Sequence, residues 1–220
     1  MDPSVRASRL GPATGFAAIA VGAGVLLAWH PADPVHATEL TGLMGRWLTI
    51  HLGLLVAMPL LALGVLHLLR DVRSTAATLA RVLIVPAAAL YAAFDALLGI
   101  GTGVLVAQTG QLPEDLQPGA VALTQAWWEV PTVLSLVSTL AIVTWTASVA
   151  SAGIVAHRSG LGPVTAWALV ASSVTFALGH PGVTGALGMA GLATAMVAAE
   201  RQRRTGAGPS GLDRSRKVST

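Results

Sequence analysis

The chain contains no cysteine. That excludes disulfides, thiolate metal sites, covalent haem attachment and thiol catalysis together, and leaves His, Asp and Glu as the metal ligands available. Charge is scarce as well: 10% of the 220 residues are charged, against about 25% in soluble domains. Too few charges remain to coat a water-facing surface, so the outer solvent is lipid. Lysine occurs once, at Lys217. No linker or polar block approaches the roughly 50 residues that a separate soluble domain needs. The chain also lacks the HExxH, HxxxH and ExxH spacings of common metal sites. No internal repeat of the kind many transporters carry is evident.

What remains is apolar: 54% hydrophobic residues, with a mean hydropathy of +0.70. Apolar runs occupy residues 13–30, 47–69, 82–107, 127–156, 164–179 and 183–199. About 20 apolar residues cross a bilayer core, so the expected fold is all-α: a polytopic integral membrane protein built as a bundle of six transmembrane helices. The first run also competes as a signal peptide, with Val35-His36-Ala37 as its cleavage site, but it exceeds the usual 7–15-residue apolar region and is kept as a span. Residues 31–46 and 108–126 are expected as polar loops, and residues 201–220 as a basic disordered tail.

Threading six spans from a cytoplasmic N-terminus puts every basic residue except Arg46 on the inner side, including Arg6, Arg9, Arg70, Arg73, Arg81, Arg158 and the tail. This is the bias of cytoplasmic loops in membrane proteins, and it makes both termini cytoplasmic. Asp33, Glu39, Glu114 and Asp115 fall outside, and Trp29, Trp47, Trp127 and Trp128 collect at the outer interface, where amphipathic rings sit best. The basic charges therefore mark topology, with no nucleic acid expected. The partner is the bilayer, with a modest pull of Arg214, Arg216 and Lys217 toward anionic lipid headgroups. The composition, rich in Ala, Gly and Arg, points to a bacterial plasma membrane.

One carboxylate, Asp95, lies near the middle of the third span. An acid at that depth is costly unless it is paired, protonated or facing a wet cavity, and it marks a functional site by default. Threading brings His30, His51, Glu129 and His180 to the same outer half. Helical spacing aligns Tyr91, Asp95, Leu98 and Thr102 on one face of the third span, with Gly99, Gly101 and Gly103 beside them for close helix approach. Glu129, Thr132, Ser135 and Thr139 form a stripe on the fourth. His51 and His67 are 16 residues apart, roughly 24 Å and nearly opposite faces of one helix, so they cannot share a ligand. Gly99-Ile100-Gly101-Thr102-Gly103 lacks the lysine of a phosphate loop and lies within an apolar span.

The expected pocket is thus Asp95, His51, Glu129, His180, Tyr91, Thr102 and Ser135, opening outward for binding or transport of a small ligand. Two alternatives use metal. A zinc-dependent hydrolase would take His51, His180 and Asp95 as ligands, with Glu129 as base. That layout resembles the ceramidase- and adiponectin-receptor-like membrane hydrolases, whose seven spans and histidine pairs this chain lacks, so no residue role carries over. A b-type haem protein would use His51 and His180 as axial ligands. A third alternative is an assembly protein whose polar residues only hold helices together.

Overall fold

The computed structural model describes residues 11–31, 37–128, 133–179 and 181–205. Among them every regular element is helical and no strand occurs. Five helices are long and apolar enough to cross a membrane, which makes the chain a multi-pass helical membrane protein. In hydrocarbon each backbone polar group must be satisfied within its own segment, and the α-helix does this.

The order is α1 (Pro12–Ala28), a 3-10 turn (Ala37–Leu43), α2 (Met44–Leu69), α3 (Thr75–Phe94), a π-helical segment (Asp95–Gly101), α4 (Thr102–Thr109), α5 (Gln117–Trp128), α6 (Val133–Arg158), α7 (Pro163–Leu178) and α8 (Val183–Arg204). From α3 to α4 the chain is one continuous helical span, Thr75–Thr109. Proline opens α1 and α7 at the first helical turn, where its missing N–H costs nothing. Gly162, at φ +91°, makes the left-handed turn into α7, a conformation that glycine adopts without strain.

The helices pack around one apolar core, with α3 against α6, α6 against α7, α7 against α8, and α8 against α1. The α7–α8 seam is set by small residues. A Cβ on Gly191 would stand 2.9 Å from the Ala168 carbonyl oxygen, and one on Gly188 3.1 Å from that of Ser172. Hydroxyls tie neighbouring helices together: Ser148 Oγ donates to Ala80 O (2.8 Å), and Ser173 Oγ to Thr146 O (3.0 Å). Apolar attraction between helices is weak in lipid, so close packing and such hydrogen bonds supply the association.

Three sequence expectations need correction. The third helical span begins at Thr75 rather than residue 82, because Ser74 caps it by accepting the Ala77 N–H (3.1 Å). Arg81 therefore lies inside the helix, and its guanidinium reaches back to the carbonyls of Leu69 and, at 2.7 Å, Val72. There it satisfies acceptors left open at the end of α2. The second correction concerns residues 108–126, which are not a continuous polar loop: after Pro113, α5 packs against α4 and the 3-10 turn. Third, part of the 31–46 loop is that 3-10 turn, which seats a fully buried Leu40 against Trp47 and Val106. The tail beyond residue 205 lies outside the described residues.

One end of the bundle gathers the basic side chains. Arg203 donates to Leu68 O (2.6 Å) and lies 3.9 Å from Asp71, while Gln202 donates to Gly160 O (3.2 Å). His67 is at this end too, beside Arg70 and against the Phe16 ring, whose centroid is 5.7 Å away. The candidate site lies toward the opposite end of α2.

Candidate functional site: a histidine–carboxylate chain beside a cavity

Asp95 is the first residue of the π-helical segment and is completely buried. The wider turn of a π segment is a frequent feature of functional sites. It brings Gly99 against the face of α2, where a Cβ on Gly99 would overlap the His51 ring. The absence of that side chain admits the imidazole. Trp47, one turn before His51, donates its indole N–H to Gly99 O at 2.7 Å and lies against the His51 ring, tilted by 51° with centroids 4.4 Å apart. α2 and the π segment are thereby locked together at two adjacent points.

His51 Nδ1 lies 2.8 Å from Asp95 Oδ1. Its other nitrogen, Nε2, faces His30 Nε2 at 3.4 Å, with the two rings nearly perpendicular at 87°. His30 Nδ1 in turn lies 2.7 Å from Pro31 O. The carbonyl can only accept, so His30 Nδ1 carries a hydrogen. Asp95, His51, His30 and Pro31 therefore form one continuous polar chain from mid-span to the end of α1. Asp95 Oδ2 and Thr102 Oγ1, seven residues further on, are buried without a hydrogen-bond partner among the described residues.

Beside this chain lies a cavity of about 420 Å³, within the range of small-molecule sites. His30, His51, Trp47, Tyr91, Trp128 and Ser138 contribute to its wall. Asp95 does not: it stands behind His51 and meets the cavity through that ring. Tyr91, one turn before Asp95, is buried and packs on Phe176 (5.9 Å between centroids). Arg46, next in sequence to Trp47, donates to Trp29 O (2.6 Å) and lies over the Trp29 ring at 5.5 Å, tying the end of α1 to α2.

The structure thus brings together His51, Asp95 and Tyr91 of the expected pocket. Thr102 is buried further along the same span. Ser135 is exposed, as is Thr139. The register that buries Ala141, Trp145 and Val149 in the core turns Ser138 to the cavity in their place. Glu129 and His180 lie outside the described residues, as does Thr132. Among the described residues no three His, Asp or Glu side chains converge as a metal-binding group. His51, Asp95 and His30 are strung in a line, so the expected ligand set of His51, Asp95 and His180 has no counterpart among them. Sequence reasoning placed His30 at the right depth without assigning it to the pocket. It also missed Trp47, although the i, i+4 spacing of Trp47 and His51 puts both on one face of α2.

The chain matches no family model, no curated protein and no solved structure.

Proposed function

We propose that this is a six-span protein of a bacterial plasma membrane, with both termini cytoplasmic. It binds a small polar ligand in a cavity open to the outer side, as the first step in carrying that ligand across. The observation that carries this reading is the pair of imidazoles on the cavity wall, one backed by a carboxylate buried in the middle of a span. Burying an acid there is expensive, and His51 turns that cost into a polarised ring at the cavity surface.

The six-span count takes α7 as the remaining crossing. Its 16 residues reach about 24 Å, short of a core of about 30 Å, a mismatch that local thinning or polar flanking residues accommodate. α7 packs along both α6 and α8, as a crossing helix does. The arginines gathered at the other end support a cytoplasmic assignment for that end.

Binding is tested by the thermal stability of the purified protein across a panel of small polar and cationic solutes. A ligand at 100 times its Kd stabilises by about 2.7 kcal/mol, enough to read as a rise in Tm. At least one solute is expected to raise the Tm of the native protein and to leave a cavity-filling Ser138→Trp variant unmoved. Equal shifts in both proteins would place binding elsewhere.

A further inference from the structure

We propose that the cavity exchanges an organic ammonium cation for a proton, the proton being held in the Asp95–His51–His30 chain. This rests on the reading of the cavity as a binding site and names the class of ligand it takes.

The proton follows from counting hydrogens. Three contacts join the chain: Asp95 Oδ1 to His51 Nδ1 at 2.8 Å, His51 Nε2 to His30 Nε2 at 3.4 Å, and His30 Nδ1 to Pro31 O at 2.7 Å. Each is a hydrogen bond and so contains one hydrogen. Two neutral imidazoles carry one each, and an ionised carboxylate carries none. The intact chain therefore holds one proton more than that reference and is neutral overall. The count is the same with His30 as an imidazolium, with His51 as an imidazolium against the carboxylate, or with Asp95 as the acid.

A neutral chain suits a span, where a net charge is costly. Loss of the extra proton leaves one negative charge, which calls for a counter-ion. The titratable groups that meet here are His30 at the end of α1, His51 on α2, and Tyr91 and Asp95 on the third span, while α5 and α6 bring Trp128 and Ser138. Among the described residues no Lys or Arg lines the cavity, and Arg46 is turned to Trp29 O. The ligand then serves as the counter-ion.

The wall fits a cation with apolar substituents. Trp47, Tyr91, Phe94 and Trp128 line it together with Leu54 and Leu98, and the Trp47 and Trp128 rings stand 5.9 Å apart. Aromatic faces attract cations, the indole most strongly, and quaternary ammonium groups are recognised this way. Hard inorganic cations require several oxygen ligands, and the side-chain oxygens lining this wall are those of Tyr91 and Ser138.

The exchange balances in charge. The cation enters the cavity, and the extra proton passes to water from His51 or His30, both of which stand at the wall. The proton-loaded and cation-loaded forms are both neutral, whereas the empty, deprotonated form carries a buried charge. Asp95 touches His51 and not the cavity, so it is a positioning residue that supplies the charge through that ring.

The test uses the full chain in mild detergent. Choline is the probe, and dimethylbutanol, its uncharged isostere with carbon in place of nitrogen, is the control. Calorimetry reads binding, and an indicator dye in weakly buffered solution reads protons. Choline is expected to release about one proton per ion bound, with affinity rising about tenfold per pH unit while the extra proton is in place. The isostere is expected to bind about tenfold more weakly or worse and to release none. Trp128→Leu is expected to keep the pH slope and weaken choline about 2–30-fold. Asp95→Asn is expected to lose both slope and proton release. Equal binding of choline and the isostere would overturn the proposal, as would choline binding that is independent of pH in the native protein. Slope and release retained in Asp95→Asn would remove the chain from the exchange; if that variant does not fold, the native slope decides. The cavity itself is read separately, through modification of a Ser138→Cys variant by a membrane-impermeant thiol reagent. Modification without choline binding would sink the exchange and leave the binding reading standing, whereas failure of the modification would sink the reading beneath it.

Discussion

At the scale of single residues, the site depends on one missing side chain and one buried carboxyl group. Gly99→Ala places a Cβ in the His51 ring, and overpacking of this kind costs about 1–3 kcal/mol. The variant is expected to unfold more readily in detergent and to lose the ligand-dependent rise in Tm. Trp47→Phe keeps an aromatic ring against His51 and removes the donor to Gly99 O, so a smaller loss, about 0.5–1.5 kcal/mol, is expected. Equal losses in the two variants would show that the hydrogen bond, and not the close approach, sets the position of His51. Asp95→Asn still offers His51 an acceptor and is expected to fold. Asp95→Leu leaves the His51 N–H buried and unpaired, a penalty of about 1–3 kcal/mol. Comparing the two by reversible unfolding separates the acceptor from the charge. The depth of Asp95 was legible in the sequence because a carboxylate stands out in an apolar run. Its pairing with His51 was not, since it depends on how α2 and the π segment rotate against each other. Ser135 illustrates the same limit: the polar stripe on the fourth span was real as spacing, but the packing of α6 chose Ser138.

At the scale of elements, the π segment and the α7–α8 seam are the two places where small changes have large effects. A π segment accommodates an extra residue within an α-helix. Removing Ala96 restores an α-helical count through Asp95–Gly101 and is expected to leave membrane insertion intact. It withdraws Gly99 from Trp47 and His51, so the ligand-dependent rise in Tm is expected to disappear while the protein still elutes as a folded species. A full rise after the deletion would show that the widened turn has no part in the site. In the seam, Gly191 faces the Ala168 carbonyl so closely that Gly191→Leu is expected to separate α7 from α8 and lower the Tm. The apolar runs announced most of these helices before the structure did. They did not announce where α3 begins, because the apolar run starts after Arg81, whose guanidinium reaches back to the end of α2. Nor did they announce α5, whose sequence between Pro118 and Trp128 has helix-forming residues but is too short and too polar to resemble a span.

At the scale of the whole molecule, composition carried most of the weight. Scarce charge, no cysteine and long apolar runs were enough to read a helical membrane protein, because no other architecture satisfies the backbone of such segments in lipid except a closed barrel. The basic end and the cavity end are opposite ends of the same bundle, and the proposed function requires the cavity end to face outward. The absence of native cysteine makes this directly measurable, since any introduced thiol is unique. The decisive measurement is labelling of single-cysteine variants in intact cells with a membrane-impermeant thiol reagent. Ser138→Cys reports the cavity wall, Val143→Cys the lipid-facing side of the same helix, and His157→Cys the basic end. The expected result is rapid labelling of Ser138→Cys, none of Val143→Cys, and labelling of His157→Cys only after the membrane is permeabilised. If Ser138→Cys stays unlabelled in intact cells while His157→Cys reacts, the cavity faces the cytoplasm and the outward binding site is contradicted.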